Sequence, residues 1–112
     1  MSEKDRGNLA AILDSVNKIQ AFTSAISNAE NFYSDIRTFD ATLMNFVIIG
    51  ESIARLSEEI TKANPHIEWQ KIKGFRNMIA HDYFGIDAEE VWQIIQQYVP
   101  LLKTNIQQII ES

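Results

Sequence analysis

The sequence predicts an all-α protein, a single domain over residues 1–112 built as a bundle of four to five helices. Three observations carry that expectation. Apolar residues recur at three- and four-residue steps along most of the chain, the spacing of one helix face. No segment shows the period-two alternation that a half-buried strand needs. Capping residues, Asn64-Pro65 and Gly85 fall between the periodic stretches, where helices should start and stop. A domain of 112 residues keeps much surface per unit volume, so burial by a partner would stabilise it, and size alone is compatible with oligomerisation.

Residues 1–6 are polar and expected to be disordered, after which Leu9, Ile12, Leu13, Val16, Ile19 and Phe22 describe a first amphipathic helix. Ser27 to Tyr33 fits a short helix capped by Ser27 or Asn28, with Glu30 in its first turn. The longest helix is expected from Phe39 to Ala63, ended by Asn64-Pro65 because proline disfavours helical geometry in the residue before it. Its core stripe is Leu43, Phe46, Val47, Ile53, Ala54 and Ile60, and Met44, Ile48 and Ile49 widen it beyond one face. Such a helix either runs through the centre of its own bundle or offers a second interface to a copy of itself. Pro65 can open the next helix, which carries Trp69, Ile72, Phe75 and Ile79 and should unwind between His81 and Gly85. Asp87-Ala88-Glu89-Glu90 has the spacing of a capping box and starts a last helix from Val91 to Ile110, kinked by Pro100.

The chain has no cysteine, so disulfides, thiolate metal sites and a cysteine nucleophile are excluded. Its two histidines, His66 and His81, are fifteen residues apart, which disfavours a metal cluster; His66, beside Pro65, is expected in an exposed loop. The formal charge of −5 argues against a generic nucleic-acid-binding surface. Lys71, Lys73 and Arg76 nevertheless form a local cationic cluster in the sequence. The polar N-terminus lacks the apolar run of a signal peptide, and Phe46 to Ile49 is too short to cross a bilayer, so a cytoplasmic protein is expected.

The stretch from Gly74 to Gly85 concentrates the chemistry, with Arg76, Asn77, His81 and Tyr83 within eight residues. On a helical wheel with Arg76 at zero, Lys73, Asn77, His81 and Tyr83 share one polar arc of about 160°, with Tyr83 about 20° from Arg76. Ile72, Phe75, Met78 and Ile79 fill the opposite arc, toward the core. Arginine offers a permanent planar cation suited to phosphate, and histidine can take and give a proton near neutral pH. Together they suit cleavage of RNA without metal. In such a mechanism the ribose 2′-hydroxyl would be the nucleophile, with His81 expected to transfer protons, Arg76 to stabilise charge on phosphorus, Asn77 to orient a phosphate oxygen or the imidazole, and Lys73 to help hold the substrate. The alternative is a surface pair with His81 favoured at the helix C-terminus. DNA lacks that internal nucleophile. Glu51 sits among apolar neighbours, and its simplest expected partner is Arg55 at i+4.

Arg76, four residues, then His81-Asp82-Tyr83 resembles the R-x4-H-x-Y motif of the HEPN superfamily, in particular its HepT-like branch. Ile48-Ile49-Gly50-Glu51 with Ala54 and Leu56, then Trp69, Gly74-Phe75-Arg76-Asn77, Tyr83-Phe84-Gly85-Ile86-Asp87 and Val91-Trp92 are similar to that branch in order and spacing. The likeness spans roughly residues 5–110. It implies a helical dimer acting as a metal-independent endoribonuclease toxin, with Arg76 and His81 as the catalytic pair. It also implies a minimal nucleotidyltransferase antitoxin as partner, which neutralises the toxin by transferring AMP to Tyr83. Glu51 matches a family Gly-Glu, with its role open between scaffold and site. No cofactor is implied. Two other readings stay open: a catalytically silent nucleotide-binding or scaffold partner of the nucleotidyltransferase, and a purely structural helical oligomer.

Overall fold

Leu9, Ile12, Val16 and Ile19, which the sequence puts on one helix face, are completely buried, and the core grows outward from them. The computed structural model describes residues 1–112 and contains helices and turns but no strand. Helix α1 spans Glu3–Thr23, α2 Ala29–Ser34, α3 Ile36–Ala54, α4 Glu58–Ala63 and α5 Trp69–His81. A 3₁₀ turn at Tyr83–Gly85 leads to α6, Ala88–Gln93, which continues through a π turn, Ile94–Tyr98, into α7, Val99–Glu111. Helix α3 is flanked by α1 and α5, α7 packs against α1, and α2 packs against α6. The all-α class predicted from periodicity is what the chain adopts.

The long helix expected from Phe39 to Ala63 is two helices, and this accounts for one helix more than the largest number expected. Asp35 caps the start of α3 three residues before Phe39, accepting from the Thr38 N–H at 3.3 Å and the Thr38 hydroxyl at 2.9 Å. The break falls after Ala54. Ser57 adopts extended backbone (φ −68°, ψ 155°) and caps α4, whose first turn holds Glu58 and Glu59. A serine followed by two carboxylates is a helix-start signal that the continuous apolar period concealed.

The same serine is held from the far end of the chain. Asp5, only 3% exposed, accepts the Ser57 N–H at 2.9 Å through Oδ1 and the Ser57 hydroxyl at 2.6 Å through Oδ2. Residues 3–6, expected to be disordered, are therefore helical. Ser2 caps α1 by accepting from the Asp5 N–H at 3.0 Å, and the Asp5 carboxylate ties that turn to the α3–α4 break.

The other expected starts and stops are sharpened. Asn28 caps α2 by accepting from the Asn31 N–H at 2.8 Å. Helix α5 begins at Trp69, with Pro65 and the exposed His66 left in the preceding turn. The Trp69 indole N–H donates to the carbonyls of Thr61 (3.2 Å) and Asn64 (3.1 Å), closing the end of α4 onto the start of α5. Asp87 caps α6 by accepting from the Glu89 N–H at 3.0 Å, while Glu90 makes no reciprocal bond. Pro100 lies beside the π turn. The Val99 N–H bonds the Ile94 carbonyl five residues back, so the helix departs from α-helical hydrogen bonding next to the proline expected to disturb it.

Helix α3 does run through the middle of the bundle, with Leu43, Phe46, Ile49 and Ile53 buried. Even so, Met44 (58% exposed) and Ile48 (38%) lie uncovered on its outer face. No helix is long and apolar enough to cross a membrane.

The Ser57 donors hold the Asp5 carboxyl below the ordinary aspartate range, because they favour its ionised form. A carboxyl depressed in the folded state contributes stability above its unfolded value, and that contribution is lost as pH falls through the folded value. Asp5→Ala is therefore expected to lower the urea midpoint at neutral pH, and the deficit should shrink from about pH 5 toward about pH 2. Unfolding curves of both proteins across that range check this; a deficit independent of pH would remove the carboxylate charge from the explanation.

Candidate active site

Helix α5 meets α3 at Gly50, and the site is built from that contact. A Cβ on Gly50 would stand 2.4 Å from the Cβ of Arg76 and 2.6 Å from its Cγ, so only a glycine lets the arginine stem lie there. From that notch the guanidinium reaches the next residue of α3, and Arg76 Nη1 donates to Glu51 Oε1. The Arg76 side chain is 17% exposed and that of Glu51 46%. Arg76 Nε is buried without a partner.

Two expectations are corrected here. Arg76 lies on the face of α5 turned toward α3, between the buried Ile72 and Trp69, and not in an open polar arc. Glu51 pairs across helices with Arg76, 25 residues away, and not with Arg55 at i+4. Arg55 is the exposed residue at which α3 ends, whereas Arg76 is largely shielded from water, where opposite charges attract more strongly.

The cationic cluster read from the sequence also separates. Lys71 is exposed and paired with Glu68 at 3.1 Å. Lys73 is half-buried and lines a groove between α4 and α5, with Lys62 and Trp69, and it has no carboxylate partner. Asn77 and His81 are exposed and make no side-chain hydrogen bond within the chain. His81 is the last residue of α5, as expected. Its ring and the Arg76 guanidinium share no hydrogen bond. Met78, expected in the core, is 37% exposed, because the core side of α5 is narrower than its apolar pattern.

Beyond His81 the helix unwinds as predicted. Asp82 leaves helical geometry (φ −146°, ψ 52°), and the Tyr83–Gly85 turn folds back toward the start of α3. Gly85 has no positive φ. Its value is space, since a Cβ there would stand 2.3 Å from the Asp82 carboxylate.

Tyr83 donates its phenol to Asp40 Oδ1 on α3. Its ring contacts Phe39 edge-on (centroids 6.4 Å apart) and Phe84 (5.2 Å), while Phe39 leads inward through Phe32 to Trp92. The bond to Asp40, then burial, raises the Tyr83 phenol above the ordinary tyrosine value. The wheel put Tyr83 almost above Arg76, but the helix ends before it does. Asp40 and Glu51 are eleven residues apart on α3, so the two contacts are separated by roughly 16 Å. Asp40 escaped the sequence reading because nothing local links positions 40 and 83, which lie 43 residues apart.

Asp40, Met44, Ile48 and Glu51 fall within an arc of about 80° on α3, an outer stripe with a polar contact at each end and bare apolar side chains between. Behind Phe75 lies a separate apolar cavity of about 220 Å³, lined by Phe46, Ile49, Ile72 and Tyr98, with Glu68 and Lys71 at its edge. No group of three or more His, Cys, Asp or Glu side chains is arranged to hold a metal ion. The site as built offers an anchored guanidinium, an exposed imidazole on the same helix, and, farther along α3, a tyrosine held by a carboxylate.

Gly50→Ala should cost about 1–3 kcal/mol through overpacking against Arg76. In an Arg76→Ala background the obstructing stem is gone, so the cost should largely disappear. A double-mutant cycle measured by chemical unfolding checks the coupling, and additive losses would place the constraint elsewhere.

The description of the ribonuclease HepT-like family matches residues 12–109. Among curated proteins, the chain is 32% identical over 108 residues to the candidate RNase MJ1380 of Methanocaldococcus jannaschii, covering 96% of this chain and 98% of that protein. It is also 32% identical over 113 residues to the candidate RNase MJ0127 of the same organism, covering 100% of this chain and 93% of that protein. The probable ribonuclease HepT of Thermococcus cleftensis is 27% identical over 109 residues, 97% of this chain and 98% of that protein. No solved structure matches the chain. With its motif helix seated on Gly50 and a family match running nearly end to end, the chain belongs to the ribonuclease HepT-like family of the HEPN superfamily.

Proposed function

We propose that this chain is a metal-independent endoribonuclease toxin, active as a homodimer and neutralised when a minimal nucleotidyltransferase transfers AMP to Tyr83. The observation that carries the reading is the anchoring of Arg76 by Gly50 and Glu51 while His81 stays exposed at the end of the same helix. Relatives of nearly the same length named as ribonucleases support it.

In this mechanism Arg76 is held in one orientation before RNA arrives. Its guanidinium has five N–H donors, of which Glu51 engages one nitrogen, so part of the fork can meet a phosphate oxygen. Glu51 is then a positioning residue. His81 takes the proton from the ribose 2′-hydroxyl as oxygen attacks phosphorus, giving a 2′,3′-cyclic phosphate and a 5′-hydroxyl leaving group that needs a proton in return. One chain offers one histidine at this site, so the second acid–base group is assigned to the other copy of a dimer. The bare Met44 and Ile48 between the polar ends of the α3 stripe support an interface there. Asn77, exposed one residue after Arg76, and the unpaired Lys73 are assigned to holding the RNA backbone. AMP on Tyr83, two residues beyond His81, adds bulk and negative charge at the entrance to the site and repels RNA.

A second reading draws on the same pair. Glu51 already neutralises Arg76 in an acidic chain, which suits a catalytically silent scaffold for the nucleotidyltransferase.

Purified, unmodified protein is expected to run as a dimer by light scattering and to cleave RNA in the presence of chelator, leaving 2′,3′-cyclic phosphate ends. His81→Ala should lower cleavage by about 10²-fold or more, and Arg76→Ala should do the same by loss of charge stabilisation, with melting curves confirming that each folds. Cleavage at the unsubstituted rate by His81→Ala would remove that residue from the chemistry. RNA or partner binding without any cleavage would select the scaffold reading.

A further inference from the structure

The tyrosine proposed as the modified residue is not a free phenol. Tyr83 is 37% exposed, its ring is backed by Phe39 of α3, and its hydroxyl donates to the Asp40 carboxylate. Asp40 is on the outer stripe of α3, is exposed, and has no ion-pair partner. The titratable groups acting on the phenol are Asp40 from α3 and Tyr33 from α2. No lysine or arginine shares the contact to draw the Asp40 charge away.

We propose that Asp40 is the proton acceptor for modification of Tyr83, holding the phenol oxygen toward solvent and taking its proton as that oxygen attacks a nucleoside triphosphate. The proposal rests on the reading of Tyr83 as the residue that receives AMP and assigns a residue to that step. The Tyr83 Oη forms a bond to the α-phosphorus of ATP, the bond from that phosphorus to the bridging oxygen of pyrophosphate breaks with its electron pair leaving on pyrophosphate, and the phenolic proton passes to Asp40 Oδ1. Nothing is oxidised or reduced. The acceptor is needed because the phenol is weakly acidic, and the bond to Asp40 keeps it protonated in the resting protein.

The same geometry gives the reaction a structural consequence. Once Oη carries a phosphodiester it has no proton to donate, and the new anion faces the Asp40 carboxylate after that group returns its proton to solvent. Attraction becomes repulsion, and the Tyr83–Gly85 turn loses its polar tie to α3. The wholly exposed Phe84 moves with it.

The test incubates the full chain with the nucleotidyltransferase and Mg-ATP and follows AMP incorporation by intact mass, with Tyr83→Phe marking the site. Asp40→Asn keeps an oxygen that can accept from the phenol but cannot take its proton at neutral pH. Its modification rate should fall about tenfold or more and rise with pH as solvent base takes over, while Asp40→Glu should recover part of the rate. Circular dichroism and melting curves check that each variant folds. Equal rates and equal pH profiles for Asp40→Asn and the unsubstituted chain would overturn the role of Asp40 while leaving Tyr83 as the modified residue. Absence of AMP on the unsubstituted chain would overturn the modification reading and this inference with it.

Discussion

The contact on which the rest of the site depends is the seating of Arg76 on Gly50, with Glu51 as its ionic partner. Two helices can approach this closely only where one has no side chain, and the arginine stem fills the vacated space. That fixes both the register and the rotation of α5 against α3. Once Arg76 points inward, the 3.6-residue repeat turns Asn77 and His81 outward and puts Ile72 and Ile79 into the core. The burial has a cost, visible in the unpartnered Nε, and the carboxylate offsets part of it. A guanidinium held this way has little freedom left to lose when it meets a ligand.

Helix α3 is the spine on which both ends of the motif are held. Near its C-terminus Glu51 takes Arg76, and near its N-terminus Asp40 takes Tyr83, roughly 16 Å away. The motif therefore straddles α3 instead of forming one patch. The arginine end is partly shielded and ion-paired, suited to a fixed electrostatic role, while the tyrosine end sits on a short 3₁₀ turn backed by aromatic rings. The helix holds the guanidinium in one place, whereas the turn leaves the phenol accessible at the surface. The bare Met44 and Ile48 between the two ends would place any partner covering them beside both contacts.

Much of the architecture was legible along the chain. The periodicity of α1 translated directly into burial, since an apolar stripe at helical spacing has no better place than a core. The unwinding after His81 followed from Gly85 and from the misplaced Asp82. Elsewhere short-range signals lost to long-range ones. The continuous apolar period from Phe39 to Ala63 hid the break at Ser57, which Asp5 stabilises from 52 residues away. An i+4 partner for Glu51 was available in Arg55, but a shielded partner on another helix displaced it.

By itself the sequence determined the helical class, the motif's residues and their position at the end of one helix, because periodicity, capping and turn chemistry are local properties. The family likeness was legible for the same reason, since it rests on ordered motifs. Only the tertiary structure decided which of those residues meet. A helical wheel gives angles within one helix and says nothing about the partner helix, so it set Arg76 in the open and Tyr83 beside it. Packing at Gly50 turned the arginine inward to Glu51, and the end of α5 delivered Tyr83 to Asp40. Contacts between residues 25 and 43 positions apart depend on how helices cross, and that is a property of the assembled core.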